Sequence, residues 1–257
     1  MSRFLPWLVA PLLTACAQLV PAPAGAPEAD RAAAESAWAR VLERRVDERG
    51  RVDFAALERE RADLDRFVSW VYAIGPNNRP ELFASRDEVL AYHLNAYNAL
   101  AMYSVLEAGR PANLSEYGLV RFFYLRRVAV GSEPMSLYHY ENRVIRPLGE
   151  ERVHFALNCM AVSCPRLPRR PFRAATLEAD LRAETERFFA EARNVAVDPA
   201  RRAVRLSAIL NFYPEDFLAR APSLPAYVNR HRREPVPLDY AVEYFSYDWT
   251  LADRPSP

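Results

Sequence analysis

The chain contains no lysine; all 34 of its basic side chains are arginine. Schiff-base chemistry, a P-loop lysine and a Ser–Lys dyad are excluded, because each needs an ε-amino group. An excess of one charge is also missing, with 34 arginines against 33 aspartates and glutamates. That balance gives no electrostatic case for nucleic acid or for a polybasic membrane patch. Long hydrophobic runs are absent too. The run at residues 4–13 is about ten residues, broken by Pro6 and Pro11, too short to span a bilayer. Cysteine is scarce, with three in 257 residues.

What the front of the chain does hold is a leader. Arg3 precedes the short apolar run, which fits a signal-peptide core. Leu13-Thr14-Ala15-Cys16 resembles the bacterial lipobox, in which cleavage before the cysteine is coupled to acylation of its sulfur. Multiple acyl chains, at about 0.8 kcal/mol per buried CH₂, would hold the mature chain on a membrane. Ala17 rather than aspartate beside the anchor favours the outer membrane. The expected place is therefore the bacterial cell envelope, lipid-anchored through Cys16 and facing the periplasm. Residues 1–15 read as the signal peptide, and 16–29 as a proline- and alanine-rich flexible tether. Residues 30–257 read as one domain, with no internal repeat and no second linker.

The front half of that domain is patterned for helices. Residues 30–46 carry Trp38, Val41, Leu42 and Val46 at helical spacing, and Asp53 can cap a second helix. Ser85-Arg-Asp-Glu88 has capping-box spacing and opens a third helix to about Glu107, stopped by Gly109 and Pro111. This third helix is apolar nearly all round, which marks it as buried at the centre. The middle turns to strands: 121–130 and 134–137 as a hairpin, 153–159 as an apolar strand, and a short helix at 138–146 between them. A helix at 176–193, a second hairpin at 195–206, two short helices and a closing strand at 240–248 complete the pattern. The fold class is α+β, with a helical N-terminal half packed on a small, mostly antiparallel sheet.

Chemistry concentrates in residues 154–165. With Cys16 committed to lipid, Cys159 and Cys164 are an even pair in a compartment that permits disulfides. A bridge between them closes a short but feasible loop. Alternatively Cys164, in a Ser-Cys-Pro turn, is a thiolate nucleophile with His154 as its base. A metal centre has little support, since neither Cys-x-x-Cys nor His-Glu-x-x-His spacing occurs; it would need His93, His139 or His231 to converge. No cofactor is expected. Asn95 and Asn98, three apart on the apolar helix beside His93 and Tyr97, need polar partners. They either tie the helix to neighbouring loops or line a pocket. Glu141 and Arg146, five apart, do not share a face of an α-helix and read as anchors to neighbouring elements. Asp248 could orient a histidine.

Four blocks together resemble the family called domain of unknown function 547: residues 90–99 (Leu-Ala-Tyr-His-Leu-Asn-Ala-Tyr-Asn-Ala); Met135-Ser-Leu with Tyr140-Glu141 and Ile145-Arg146; residues 154–165; and residues 206–217 (Leu-Ser-Ala-Ile-Leu-Asn-Phe-Tyr-Pro-Glu-Asp-Phe). The resemblance extends to Tyr247-Asp-Trp249 and covers roughly residues 50–250. It carries over Asn95, Tyr97, Asn98, Glu141, Arg146, His154, Cys159, Ser163 and Cys164 as site positions. The chain departs from the family at His93, where an aromatic residue is usual, and at Asn142, where many members have histidine. A looser likeness to papain- and transglutaminase-type enzymes is weakened by the central helix, which has no cysteine at its start.

Two functions are thus expected of an envelope lipoprotein. The first is a binding or structural module for a small-molecule, peptide or protein ligand, with Cys159 and Cys164 joined. The second is a thiol hydrolase or acyltransferase, with Cys164 and His154 catalytic and Asn95 positioning substrate; Tyr97, Asn98, Glu141, Arg146 and Ser163 would bind.

Overall fold

A computed structural model describes residues 17–25 and 29–254, so the leader and Cys16 lie outside the described residues. Three helices build the front half: α1 (Arg31–Arg45), α2 (Phe54–Arg59) and α3 (Ala62–Ala73). Asp30 caps α1 by accepting from the N–H groups of Ala32 and Ala33, and Asp53 caps α2 through Ala56. The central helix α4 (Arg86–Glu107) starts where Ser85 accepts from the Glu88 N–H. From Leu90 to Leu106 every residue except Asn95 is buried. A helix apolar on all sides has to be wrapped on all sides, and α3, the first sheet and the segments after it do so. Trp38, Phe67 and Trp70 form an aromatic stack between the helices, and Tyr92 meets Trp70 edge-on.

The sheet content differs from the expected single sheet. Among the described residues there are two three-stranded sheets, each with one antiparallel and one parallel pair. In the first, β1 (Gln18–Leu19) lies parallel to β2 (Arg126–Val130), which turns back into β3 (Glu133–Ser136). Gly131 and Ser132 form that turn with φ of 53° and 67°, the left-handed pair a two-residue hairpin requires. In the second, β4 (Val195–Asp198) and β5 (Ala203–Leu206) form a hairpin, and β6 (Ala241–Tyr244) joins β5. Each sheet faces its own apolar cluster. Phe155 sits in the second cluster while its neighbours Val153 and Ala156 sit in the first, so the two cores meet at this segment.

Three segments depart from expectation. Residues 18–21 do not belong to a free tether: Val20 is fully buried, and Tyr72 and Tyr103 donate to the carbonyls of Val20 and Pro21. Residues 121–125 are a π-helical turn rather than the start of a strand. Residues 153–159 are not a strand at all. Glu151–Phe155 is a 3₁₀ turn, with Glu150 accepting from the Arg152 N–H, and an irregular bend follows. A short apolar run carries no period that separates strand from buried turn, and this one is apolar because it lies between two cores.

The two amides on α4 act as splints to loops. Asn98 donates to the Ala156 carbonyl at 3.0 Å and accepts from the Asn158 N–H at 2.7 Å. Asn95 donates to the Phe172 carbonyl and accepts from the Phe172 N–H and the Trp38 indole. Replacing Asn98 by alanine leaves a buried carbonyl and a buried N–H unpaired. The expected cost is about 3 kcal/mol, at about 1–3 kcal/mol per orphaned group. A denaturant midpoint within error of the wild type would contradict that role.

Candidate functional site

A cavity of about 630 Å³ opens beside the bend that follows Phe155. Its walls come from four separated stretches: α4, the segment 119–146, residues 154–165, and the C-terminal region from Ile209 to Trp249. Tyr97, Glu141, Arg146, His154, Cys159 and Cys164, all expected site residues, line it together. Asn95 does not reach it and lines a separate hollow near Trp38 and Phe172, so the role of Asn95 in positioning substrate is corrected to that of a loop tie. Asn98 is likewise taken up by the backbone of the bend. Ser163 is a strap rather than a wall: its hydroxyl accepts from the Asp248 N–H, and its N–H donates to the Asp248 carbonyl.

Cys159 and Cys164 are joined as a disulfide, with Cα atoms 6.2 Å apart. The bend that permits this is held from three sides. Asn158 accepts from the Met160 N–H and donates to the Pro165 carbonyl, which holds Met160 at a φ of 70°. The tail then runs across it, with Val162 N–H donating to Thr250 and Ala252 N–H donating to Met160. The tail also brings Tyr247 to the sulfurs, its hydroxyl 3.2 Å from Cys164 and 3.5 Å from Cys159. In this bonded form Cys164 has no thiol, so it is not the expected nucleophile, and the imidazole is engaged elsewhere.

His154 has a side chain only 1% exposed, with Nε2 2.7 Å from Asp216 and Nδ1 3.9 Å from Glu141. Arg146 completes the set through a two-pronged contact with Asp216, Nε at 2.8 Å and Nη2 at 2.9 Å. Arg146 also reaches Glu215 and Asn142. Tyr213 packs on both, its ring 4.2 Å from the imidazole and 4.8 Å from the guanidinium that lies over it. Asp216 therefore does what was expected of Asp248, whose carboxylate accepts from the Thr250 N–H instead. Sequence reasoning passed over Asp216, although it stands in the Pro-Glu-Asp-Phe motif that opens a short helix (Pro214–Leu218).

Glu141 and Arg146 share the cavity because the chain between them is not α-helical. In an α-helix, residues five apart point about 140° away from each other. Tyr140–Ile145 is a π-helix, and the Arg146 N–H bonds to the Glu141 carbonyl, which stacks the two residues on one face. The expected separation of Glu141 from Arg146 is corrected on this ground. Tyr97 donates to Glu141 at 3.2 Å, and the Tyr213 phenol feels the same carboxylate. Burial first, and then the Glu141 charge, push both phenols well above their ordinary range, so both stay protonated donors. At His93, burial lowers the imidazole to about 4, and it stays neutral beside the Tyr140 hydroxyl at 2.8 Å. Among the described residues, no group of three or more His, Cys, Asp or Glu side chains could hold a metal ion.

Burial raises the Asp216 carboxyl, but hydrogen bonds from His154 and Arg146 outweigh it and hold the group well below the usual carboxylate range. A group depressed in the folded state contributes stability above its unfolded pKa of about 3.9 and loses it as the pH falls towards the folded value. Urea midpoints of the wild type and Asp216→Asn should therefore differ at pH 7 and converge below about pH 4. A gap that stays constant down to pH 2 would mean that Asp216 is not held by charge.

No curated protein and no solved structure matches the chain. A family model described as protein of unknown function, DUF547, matches residues 82–189, a narrower span than the expected 50–250. That span takes in α4, Glu141, Arg146, His154 and both bridged cysteines, and stops short of Tyr213, Asp216 and Tyr247. Over the stretch that carries its buried helix and its cysteine bend, the chain is similar to the DUF547 family.

Proposed function

We propose that the chain is an envelope lipoprotein whose DUF547 domain binds an amphipathic ligand in the cavity beside the Cys159–Cys164 bridge. The observation that carries this reading is the cavity itself. Its volume, about 630 Å³, falls in the range of ligand sites, which combine apolar walls with a few converging polar groups. His154, Glu141 and Tyr97 supply polar atoms at its buried end. Val120, Tyr124, Tyr138 and Phe212 are exposed apolar side chains at its mouth, Val120 to 62%.

The anchor fits the same reading. Gln18 is paired with Arg126, two residues after Tyr124 on the cavity's mouth. Cys16 precedes Gln18 by two residues, a reach of about 7 Å even when fully extended. A lipid on Cys16 would therefore keep the mouth close to the bilayer, where amphipathic molecules are concentrated. The thiol hydrolase or transferase remains the second reading for one reason. If the bridge were reduced, Cys164 would share a cavity with an imidazole already oriented by a carboxylate.

Native mass spectrometry of the mature protein, purified from membranes without reductant, tests these parts together. The expected spectrum shows acylated Cys16, a chain two hydrogens lighter than the reduced form, and a small-molecule adduct lost on collisional activation. Free thiols, with Cys164 alone alkylated rapidly at neutral pH, would favour the enzyme over the binding module. An unmodified Cys16 would remove the anchor.

A further inference from the structure

The charge balance of the cavity narrows the ligand class, an inference that rests on the binding reading above. Two carboxylates line the cavity, Glu141 and Glu215, and Asp216 lies directly behind His154. Arg146 is the arginine lining it, and its fork is taken up by Asp216, Glu215 and Asn142 while its face covers Tyr213. Glu141 has a side chain only 14% exposed, and it receives the Tyr97 phenol and no guanidinium. The nearest nitrogen that could carry charge is His154 Nδ1, at 3.9 Å, beyond hydrogen-bond distance. Even a doubly protonated His154 leaves this cluster negative, with three carboxylates against two cations.

A carboxylate held mostly out of water without a cation is costly, and an incoming cation relieves that cost. No lysine exists anywhere in the chain to supply an ammonium from within. The walls suit the same charge. Tyr124 and Tyr138 stack at 4.2 Å and Tyr247 lies 4.3 Å from Trp249, so the cavity is bounded by rings whose faces attract cations. An anionic head group would instead meet carboxylates whose one arginine is already engaged.

We infer that the cavity takes an organic ammonium carried on an apolar body, with its nitrogen on Glu141 and its body among the aromatic rings towards the mouth. The bridged cysteines are part of the wall in this arrangement, and their sulfurs take no part in recognition.

Calorimetric titration of the mature chain at neutral pH with hexylammonium, hexanoate and 1-hexanol tests the assignment. Hexylammonium should bind tightest. Glu141→Gln, which keeps an acceptor for Tyr97, should weaken hexylammonium by about tenfold or more. The same substitution should strengthen hexanoate and leave hexanol unchanged, which also reports that the variant cavity is intact. Hexanoate or hexanol binding as tightly as hexylammonium would overturn the ammonium assignment while leaving the binding module standing. Unaltered selectivity in Glu141→Gln would overturn it as well. Failure of all three probes to bind would overturn both.

Discussion

The Asn98 amide is the point on which the site depends. A helix wrapped on all sides is a rigid reference for the molecule, but apolar contacts alone leave its neighbours free to slide. Asn98 reads two backbone groups of the cysteine bend at once, the Ala156 carbonyl and the Asn158 N–H. Asn158 in turn fixes Met160 and Pro165, so one buried amide on α4 sets the path of the chain from Ala156 to Pro165. The disulfide closes a loop whose ends these hydrogen bonds have already brought together. Its position in the cavity wall follows from the amides more than from the sulfur chemistry.

On the opposite wall, the widened helix does comparable work. One extra residue per turn between Tyr140 and Ile145 swings Arg146 back above Glu141, with Glu141 towards His154 and Arg146 on the Asp216 that His154 also meets. A regular α-helix would have sent one of the two towards solvent. π-helical turns are rare and concentrate where side chains need such re-aiming. A second one at Arg121–Leu125 places Phe123 and Tyr124 on the same cavity.

What the residues disclosed and what they hid divide along physical lines. The central helix, both hairpins and the bridge were legible because each has a local signature: an all-round apolar helix with a capping box, a glycine-bearing turn in one hairpin and an Asp-Pro turn in the other, an even cysteine pair. The path of residues 153–159 was not legible, since an apolar run between two cores has no period to read. The pairing of Glu141 with Arg146 was hidden for a related reason, because a π-helical turn breaks the spacing rule on which the reading relied. Asp216 was missed because its partners lie 62 and 70 residues away. A carboxylate opening a short helix looks like an ordinary first-turn acid until the fold brings His154 to it. Residues 18–21 looked like linker because four residues are too few to show a pattern, although two tyrosines from the helices hold their carbonyls.

The match to the DUF547 model ends at Phe189, and the electrostatics of the cavity do not. Within residues 82–189 the site holds Glu141, Arg146 and His154, a set with one carboxylate, one guanidinium and one imidazole and no excess of charge. Glu215 and Asp216, from beyond that span, turn the balance negative and engage the guanidinium. Tyr213, Tyr247 and Trp249, from the same later region, bring much of the ring surface. The matched segment thus supplies the frame and the first polar groups, and the residues after Phe189 set the sign of the charge around the cavity. If the cavity binds a ligand as proposed, proteins that share the segment but differ in the later region should differ in the charge of what they bind.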